Sequence, residues 1–292
     1  GIQCLRFPVK QPAVYILASG RNGTLYIGTY KGEVEIYDEH GTLAAWVAFS
    51  HARLDAIILE VGLGGRLDAV NVFEPDCAIV TSVAMDHMDF LGDNREAIGF
   101  EKAGIFRAGR PAICSDPVPP ASLLAHAEAI GARLWVTGRD FGFAGDQNQW
   151  AFWLAGGSRR GGLAYPALRG TNQLLNASAV MAACEAVRDI LPVPMQAIRQ
   201  GFMLVELPGR FQVLPGRPTV VLDVAHNPQA AGVLNENLAS MGFFPETWAV
   251  LGMLGDKDVA GVVRLLRDRV DHWLLTSLPG PRGLSAARLA EI

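Results

Sequence analysis

Three stretches of the chain place a carboxylate or an imidazole directly behind an apolar run. In LEVGLGGRLDAVN (59–71) the run ends at Glu60-Val61 and breaks into glycines. A carboxylate at the carboxyl end of a buried strand stands where open α/β sheets hold their ligands, and a hard divalent cation accepts such an oxygen. A cap on the following turn is the alternative reading of Glu60. In TSVAMDHMDFLG (81–92) a second apolar run ends, and Asp86, His87 and Asp89 follow at once. Two strand ends carrying Glu60 and Asp86-His87 suit a metal ion. For His87 a phosphate contact and a purely structural imidazole also stay open. In VVLDVAHNPQAA (220–231) Asp223 ends a strand and His226-Asn227-Pro228 opens a helix, whose free N–H groups favour phosphate or carboxylate. An Asn cap with Pro at the first helical position accounts for Asn227 and Pro228, but leaves Asp223 and His226 unexplained.

The glycines after Glu60 raise the question of a phosphate-binding loop. Such a loop needs Lys and then Ser or Thr after its last glycine, to reach the β- and γ-phosphates and to ligate Mg²⁺. Arg66 and Leu67 stand there instead, and none of the lysines, Lys10, Lys31, Lys102 and Lys257, follows a glycine. Lys102 lies in EKAGIFRAGRPAI (101–113), at the end of a helical stretch and before an apolar strand. A buried lysine needs a partner or a chemical change, carbamylation by CO₂ being one that yields a metal-binding anion. A surface ion pair with Glu101 or Asp116 is the plainer reading.

The elements that must position these residues follow from periodicity. DAIILEV (55–61), CAIVTSV (77–83), PAICS (111–115) and RLWVT (133–137) read as short buried strands, with helical spacing at 94–106 and 120–132 between them. That is the βαβ grammar of a parallel sheet covered by helices. Residues 172–191 predict the longest helix, with Asn172 as N-cap and Pro192 as its stop, and 195–205 a second. ELPGRFQVLPGRP (206–218) reads as a linker. Beyond it, strands at 219–225, 247–253 and 271–277 alternate with helices at 228–242 and 258–270, a second and smaller α/β unit. The opening, AVYILASGRNGTLYIGTYKGEVEIYDEHG (13–41), alternates polar and apolar residues around Asn22-Gly23 and Lys31-Gly32 and predicts an antiparallel hairpin or meander pairing along a sheet edge.

Half of the 292 residues are hydrophobic and the formal net charge is −4, which suits a buried core and gives no basic surface for nucleic acid. Cys4, Cys77, Cys114 and Cys184 are widely spaced and read as free thiols in a reducing compartment. No apolar run reaches the roughly 18 residues that span a bilayer, and no signal peptide opens the chain. A cytoplasmic monomer without membrane or nucleic-acid partners is expected.

Taken in order, LEVGLGGRLDAVN, TSVAMDHMDFLG, EKAGIFRAGRP, NQLLNAS, PGRFQ, LDVAHNP and GMLGDKD resemble the folylpolyglutamate synthase and dihydrofolate synthase family of the Mur ligase superfamily, from about Gly41 to the C-terminus. Residues 1–40 read as foreign to it. VYILASGRNGTLYIG is similar to the start of the GIY-YIG nuclease domain, and the overlapping NGTLYIGTYKGEVEIYDEHG resembles one turn of a β-propeller repeat, each without the remaining parts.

The resemblance implies an α/β protein with a partial Mur-ligase-like ATP- and Mg²⁺-binding domain (41–207) and a partial, Rossmann-like glutamate-ligase domain (208–292). The implied reaction is ATP-dependent: a dihydropteroate or folate carboxylate becomes an acyl phosphate, and the amine of L-glutamate attacks it. By analogy Glu60 and His87 hold Mg²⁺ and Lys102 is carbamylated. Asn176, Arg210 and Asp223 contact ATP, with His226 nearby at a cleft between the domains. Arg66 and Arg210 are candidates for a basic lining. The family's Gly-Lys-Ser type loop is missing from these residues and the C-terminal domain reads as shortened, so impaired turnover is expected. A non-catalytic folate-ligase-like module without ATP turnover is the competing reading.

Overall fold

Pro111–Cys114 (β6) is the strand around which the first half of the molecule is built. All four of its residues are buried, as expected for the middle of a parallel sheet. The computed structural model describes residues 15–18, 25–28, 34–37, 49, 54–85, 88–146, 148–170 and 172–292. They fall into two units, residues 1–167 with 174–205 and residues 168–173 with 206–292.

In the first unit β6 lies between Ala78–Val80 (β5) and Arg133–Val136 (β7), parallel to both. Alternate residues face opposite sides of a strand, so Ala112 and Cys114 enter one core and Ile113 another. The first core is closed by Ile98 and Ala103 of helix Arg95–Ala103 (α2) and by Leu123 and Ala127 of helix Ala121–Ile130 (α3). Asn94 caps α2 by accepting from Ala97 N at 2.8 Å, and α3 ends at Gly131 in the left-handed region. Pro120, which precedes α3, has no side-chain acceptor to offer. Glu96 of α2 supplies it, taking Ala121 N at 3.1 Å and Ser122 N at 2.7 Å.

The second core lies under a three-stranded antiparallel sheet, Phe141–Gly145 (β8), Trp150–Leu154 (β9) and Arg159–Leu163 (β10), to which the sequence analysis assigned no element. Its turn signal is Gly156-Gly157, both at positive φ. Phe141, Trp150 and Phe152 are almost fully enclosed there, each contributing roughly 2–3 kcal/mol of burial. They pack against helices Asn172–Ala186 (α4) and Met195–Leu204 (α5). Two expectations for α4 are corrected: Asn172 is its first helical residue, not its cap, and the helix stops at Ala186, well before Pro192. Single-turn bonds such as Ile190 N to Val187 O replace it.

The opening forms the expected meander, Tyr15–Ala18 (β1), Leu25–Gly28 (β2) and Val34–Tyr37 (β3), antiparallel in turn. β1 then pairs in parallel with Ile58–Glu60 (β4), giving the order β3-β2-β1-β4. A short helix, Met88–Leu91 (α1), completes this unit.

The second unit holds an antiparallel pair, Gln212–Leu214 (β11) with Val220–Leu222 (β12), and a parallel pair, Trp248–Leu251 (β13) with His272–Leu275 (β14). β11 thus falls inside the stretch read as linker. Helices Pro228–Ser240 (α6), Val259–Leu266 (α7) and Ala286–Ala290 (α8) enclose a small core of Ala231, Met253, Val262, Leu266 and Leu289. Asn227, Asp258 and Ser285 cap the three helices with their side chains. Among the described residues no helix is long and apolar enough to cross a membrane, and Cys77, Cys114 and Cys184 are free thiols.

Candidate functional site

The glycine loop behind Glu60 is shaped by protein contacts on its inner side. Gly64 and Gly65 have φ of 69° and 155°. A Cβ on Gly65 would stand 2.9 Å from the carbonyl oxygen of Glu101 and 3.1 Å from that of Lys102, so the loop lies directly on the last turn of α2. The mirror contact comes from the helix end, where a Cβ on Gly104 would meet Arg66 Cβ at 2.4 Å. Asp68 draws the loop shut, its Oδ2 accepting from Gly62 N at 2.9 Å and Leu63 N at 3.0 Å. Its Oδ1 accepts from Val70 N at 3.0 Å, which caps the 3-10 turn Ala69–Val72. The amides that could have cradled a phosphate are therefore partly committed to a carboxylate. Asp68 had no role in the sequence analysis, and its place two residues before an apolar run is the one signal for it.

Arg66, a candidate for the basic lining, is engaged by Glu101. Its guanidinium binds Glu101 with Nε at 3.1 Å and Nη2 at 2.9 Å from Oε1, and lies 5.8 Å from the centre of the Phe100 ring. Asp116 is held by Arg95 at 2.9 Å. Both carboxylates suggested for Lys102 are thus engaged by arginines. Lys102 itself is half-buried in the last turn of α2, beside the glycine loop.

Glu60 closes β4, with its Oε2 shielded from solvent. Asp86 and His87 lie outside the described residues, as does the side chain of Asp89. Among the described residues no three His, Cys, Asp or Glu side chains group to hold a metal. Asn176 sits half-buried in the second turn of α4.

The second unit gathers Arg210, Asp223 and His226 around one turn. Asp223 Oδ2 accepts from Phe211 N at 2.8 Å and its Oδ1 from Ala225 N at 2.7 Å. Val224 N donates in return to Gly209 O at 2.9 Å. The turn is fixed with Phe211 at φ 46°, a conformation that costs a bulky residue about 1–3 kcal/mol, offset here by burial of its ring. Arg210, next to it, is exposed, as are Asp223 and His226. His226 Nδ1 lies 2.9 Å from Val224 O. A carbonyl only accepts, so Nδ1 carries the proton in this contact. In the GMLGDKD segment, Asp256 bonds to Arg282, which lowers its pKa from the ordinary value against the opposing effect of desolvation.

Comparisons with known proteins place the chain among Mur ligases. The Mur ligase middle domain matches residues 14–138 and the Mur ligase glutamate ligase domain residues 209–292. Dihydrofolate synthase/folylpolyglutamate synthase of Escherichia coli (strain K12) is 43% identical over 266 residues, 91% of this chain. The chain spans 61% of that protein's length. The E. coli FolC structure in complex with DHPP and ADP gives a TM-score of 0.81 at 44% identity, over 87% of this chain and 59% of that one. Ligand-free bifunctional folylpolyglutamate synthase/dihydrofolate synthase from Yersinia pestis gives 0.83 at 38% identity, over 96% of this chain and 73% of that one. With both Mur ligase domains matched and a relative of 38% identity covered to 73% of its length, the chain belongs to the folylpolyglutamate synthase and dihydrofolate synthase family of the Mur ligases.

Proposed function

We propose that the chain carries the ligase chemistry of its relatives: ATP-dependent joining of L-glutamate to dihydropteroate or a folate. The observation that carries this reading is the 44% identity and TM-score of 0.81 to E. coli FolC in complex with DHPP and ADP. In the proposed reaction the γ-phosphoryl group of ATP passes to the pteroate or folate carboxylate, giving an acyl phosphate and ADP. The amine of glutamate attacks the acyl carbon, phosphate leaves and the nitrogen loses a proton.

Each residue has a role in that sequence. Glu60 and His87 would hold Mg²⁺, and the shielded carboxylate oxygen of Glu60 at a strand end fits a hard cation. Bound there, the ion supplies the positive charge that two approaching anions need. Lys102, as its carbamate, would add an anionic oxygen beside the glycine loop. Asn176, Arg210 and Asp223 would bind the nucleotide, with the exposed Arg210 facing its phosphates. His226 would take up the proton that leaves the glutamate nitrogen. In this reading residues 41–207 serve ATP and metal and 208–292 serve glutamate, in a cytoplasmic monomer whose partners are small molecules.

No lysine in the 292 residues follows a glycine, so the Lys and N–H cradle for ATP phosphates is missing from this polypeptide. Its loss removes several kcal/mol of transition-state stabilisation, and the polypeptide tested alone is expected to turn over very slowly. A coupled ADP-release assay with dihydropteroate and glutamate checks this. Turnover of roughly 1–100 per second would refute the expected impairment. The same missing cradle favours a second reading, a binding module without ATP chemistry. Calorimetry with Mg-ATP separates the two: binding that depends on metal and weakens in Glu60→Ala supports the ligase.

A further inference from the structure

We propose that Asn71 and Arg107 are positioning residues for Lys102: together they cap the helix end that carries it and lock the glycine loop against that end. The inference rests on reading Lys102 as the functional lysine of the ligase. Lys102 stands one residue before the end of α2, where the last carbonyls have no partner inside the helix. The chain segment that leaves the glycine loop supplies partners. Arg66 N donates to Glu101 O at 2.8 Å, and Asn71 Nδ2 donates to Gly104 O at 3.0 Å. The same amide nitrogen donates to Arg66 O at 3.0 Å, so one side chain joins the exit of the loop to the exit of the helix.

Arg107 holds that joint from the other side. Its Nη2 donates to Asn71 O at 2.8 Å, Asn71 Oδ1 at 3.0 Å and Phe73 O at 3.2 Å, and its Nη1 to Gly104 O at 3.3 Å and Phe106 O at 3.2 Å. Nε pairs with Glu74 at 3.0 Å. Every nitrogen of the guanidinium is thus spent within the protein, and the side chain is 20% exposed. Because Oδ1 of Asn71 faces this cation, the amide is fixed with its N–H groups toward the carbonyls of Arg66 and Gly104. The surface so joined leaves no slack: Gly104 has no room for a Cβ against Arg66, nor Gly65 against the carbonyls of Glu101 and Lys102. A loop that lifts away therefore releases the turn on which Lys102 stands. Carbamylation joins the neutral amine nitrogen of Lys102 to the carbon of CO₂ and frees one proton. Ordering the turn beforehand lowers the CO₂ needed, because a frayed turn must be fixed again in the product.

The test titrates the full chain with isotope-labelled bicarbonate in the presence of Mg²⁺ and reads the carbamate as a carbon NMR signal that Lys102→Arg abolishes. Amide hydrogen exchange is followed in parallel. Asn71→Asp keeps the volume but turns an acceptor toward the two carbonyls. Arg107→Lys keeps the charge and loses the fork. Both are expected to raise the bicarbonate needed for half-carbamylation about tenfold, the equivalent of one or two hydrogen bonds, and excess bicarbonate should restore the full signal. Both should speed exchange at the Arg66 amide by about the same factor, with Trp150–Leu154 unchanged as a folding control. Unchanged exchange at Arg66, or faster exchange with an unaltered bicarbonate midpoint, overturns the proposal. A parent chain without the carbamate signal would instead sink the reading of Lys102 itself, and faster exchange at Arg66 in the variants would then leave the brace as a structural device only.

Discussion

The two strand-end loops use the same device to different ends. Behind Glu60, Asp68 gathers the amides of Gly62, Leu63 and Val70; behind β12, Asp223 gathers those of Phe211 and Ala225. The first loop is pressed on a helix and spends its charge internally, Arg66 on Glu101. The second holds a strained residue and leaves Arg210, Asp223 and His226 at the surface. A carboxylate that folds back on its own backbone shapes a loop without saying whether the loop is scaffold or contact surface. What separates them is where the neighbouring charges go.

Steric substitution is the strongest way to break this contrast. Gly104→Ala forces a Cβ against the backbone of Arg66, with Cα at 2.7 Å, and is expected to cost about 2–3 kcal/mol in denaturant melts. A loss under about 0.5 kcal/mol would show that the first loop is not closely packed. Next in size is the comparison of the two aspartates. Asp68→Ala strips acceptors from three amides and is expected to lower stability by about 1–3 kcal/mol. Asp223→Ala strips acceptors from two amides, one of them exposed, so stability should change by less, about 1 kcal/mol, while nucleotide affinity falls. Equal stability losses would erase the distinction between scaffold and contact surface.

A pH effect on the first unit should be smaller still. The amides of Ser122 and Ala121 and the Ser122 hydroxyl hold the Glu96 carboxyl below its ordinary value. A group whose pKa is depressed in the folded state stabilises above its unfolded pKa, and that contribution disappears as pH falls through the folded one. The melting temperature should thus drop below about pH 4.5 by less in Glu96→Gln than in the parent chain. The least effect is expected at the thiols. Burial, the main cause in each case, pushes Cys77 and Cys184 up to about 12 and Cys114 to about 11. Native protein at pH 8 should leave all three unalkylated by iodoacetamide over hours, whereas urea should expose them; prompt native labelling of any one contradicts its burial.

Much of this was legible in the residues. The strand cores at 58–60, 78–80, 111–114 and 133–136 lie inside the predicted runs because short apolar segments on both faces have few other stable homes. Asn227 with Pro228 announced its helix completely. The sheet at 141–163 was not legible, since glycines interrupt its alternation: Gly142 is there because the Trp153 ring lies 2.5 Å from where its Cβ would be. The partner of Glu101 was misjudged for a similar reason. Lys102 is its chain neighbour, but Arg66 reaches it from 35 residues away.

By itself the order of residues determined the chemistry on offer: oxygen and imidazole donors at strand ends, a capped helix that opens behind AHN, and no lysine directly after a glycine. Those follow from local rules, the period of two in a strand and the unpaired amides that open a helix. Only the tertiary structure decided which charges remain for ligands and which are used up as struts. Arg66, Arg95 and Arg210 look alike along the chain. Arg66 and Arg95, though partly exposed themselves, pin carboxylates, because long-range packing alone sets which partner a guanidinium can reach.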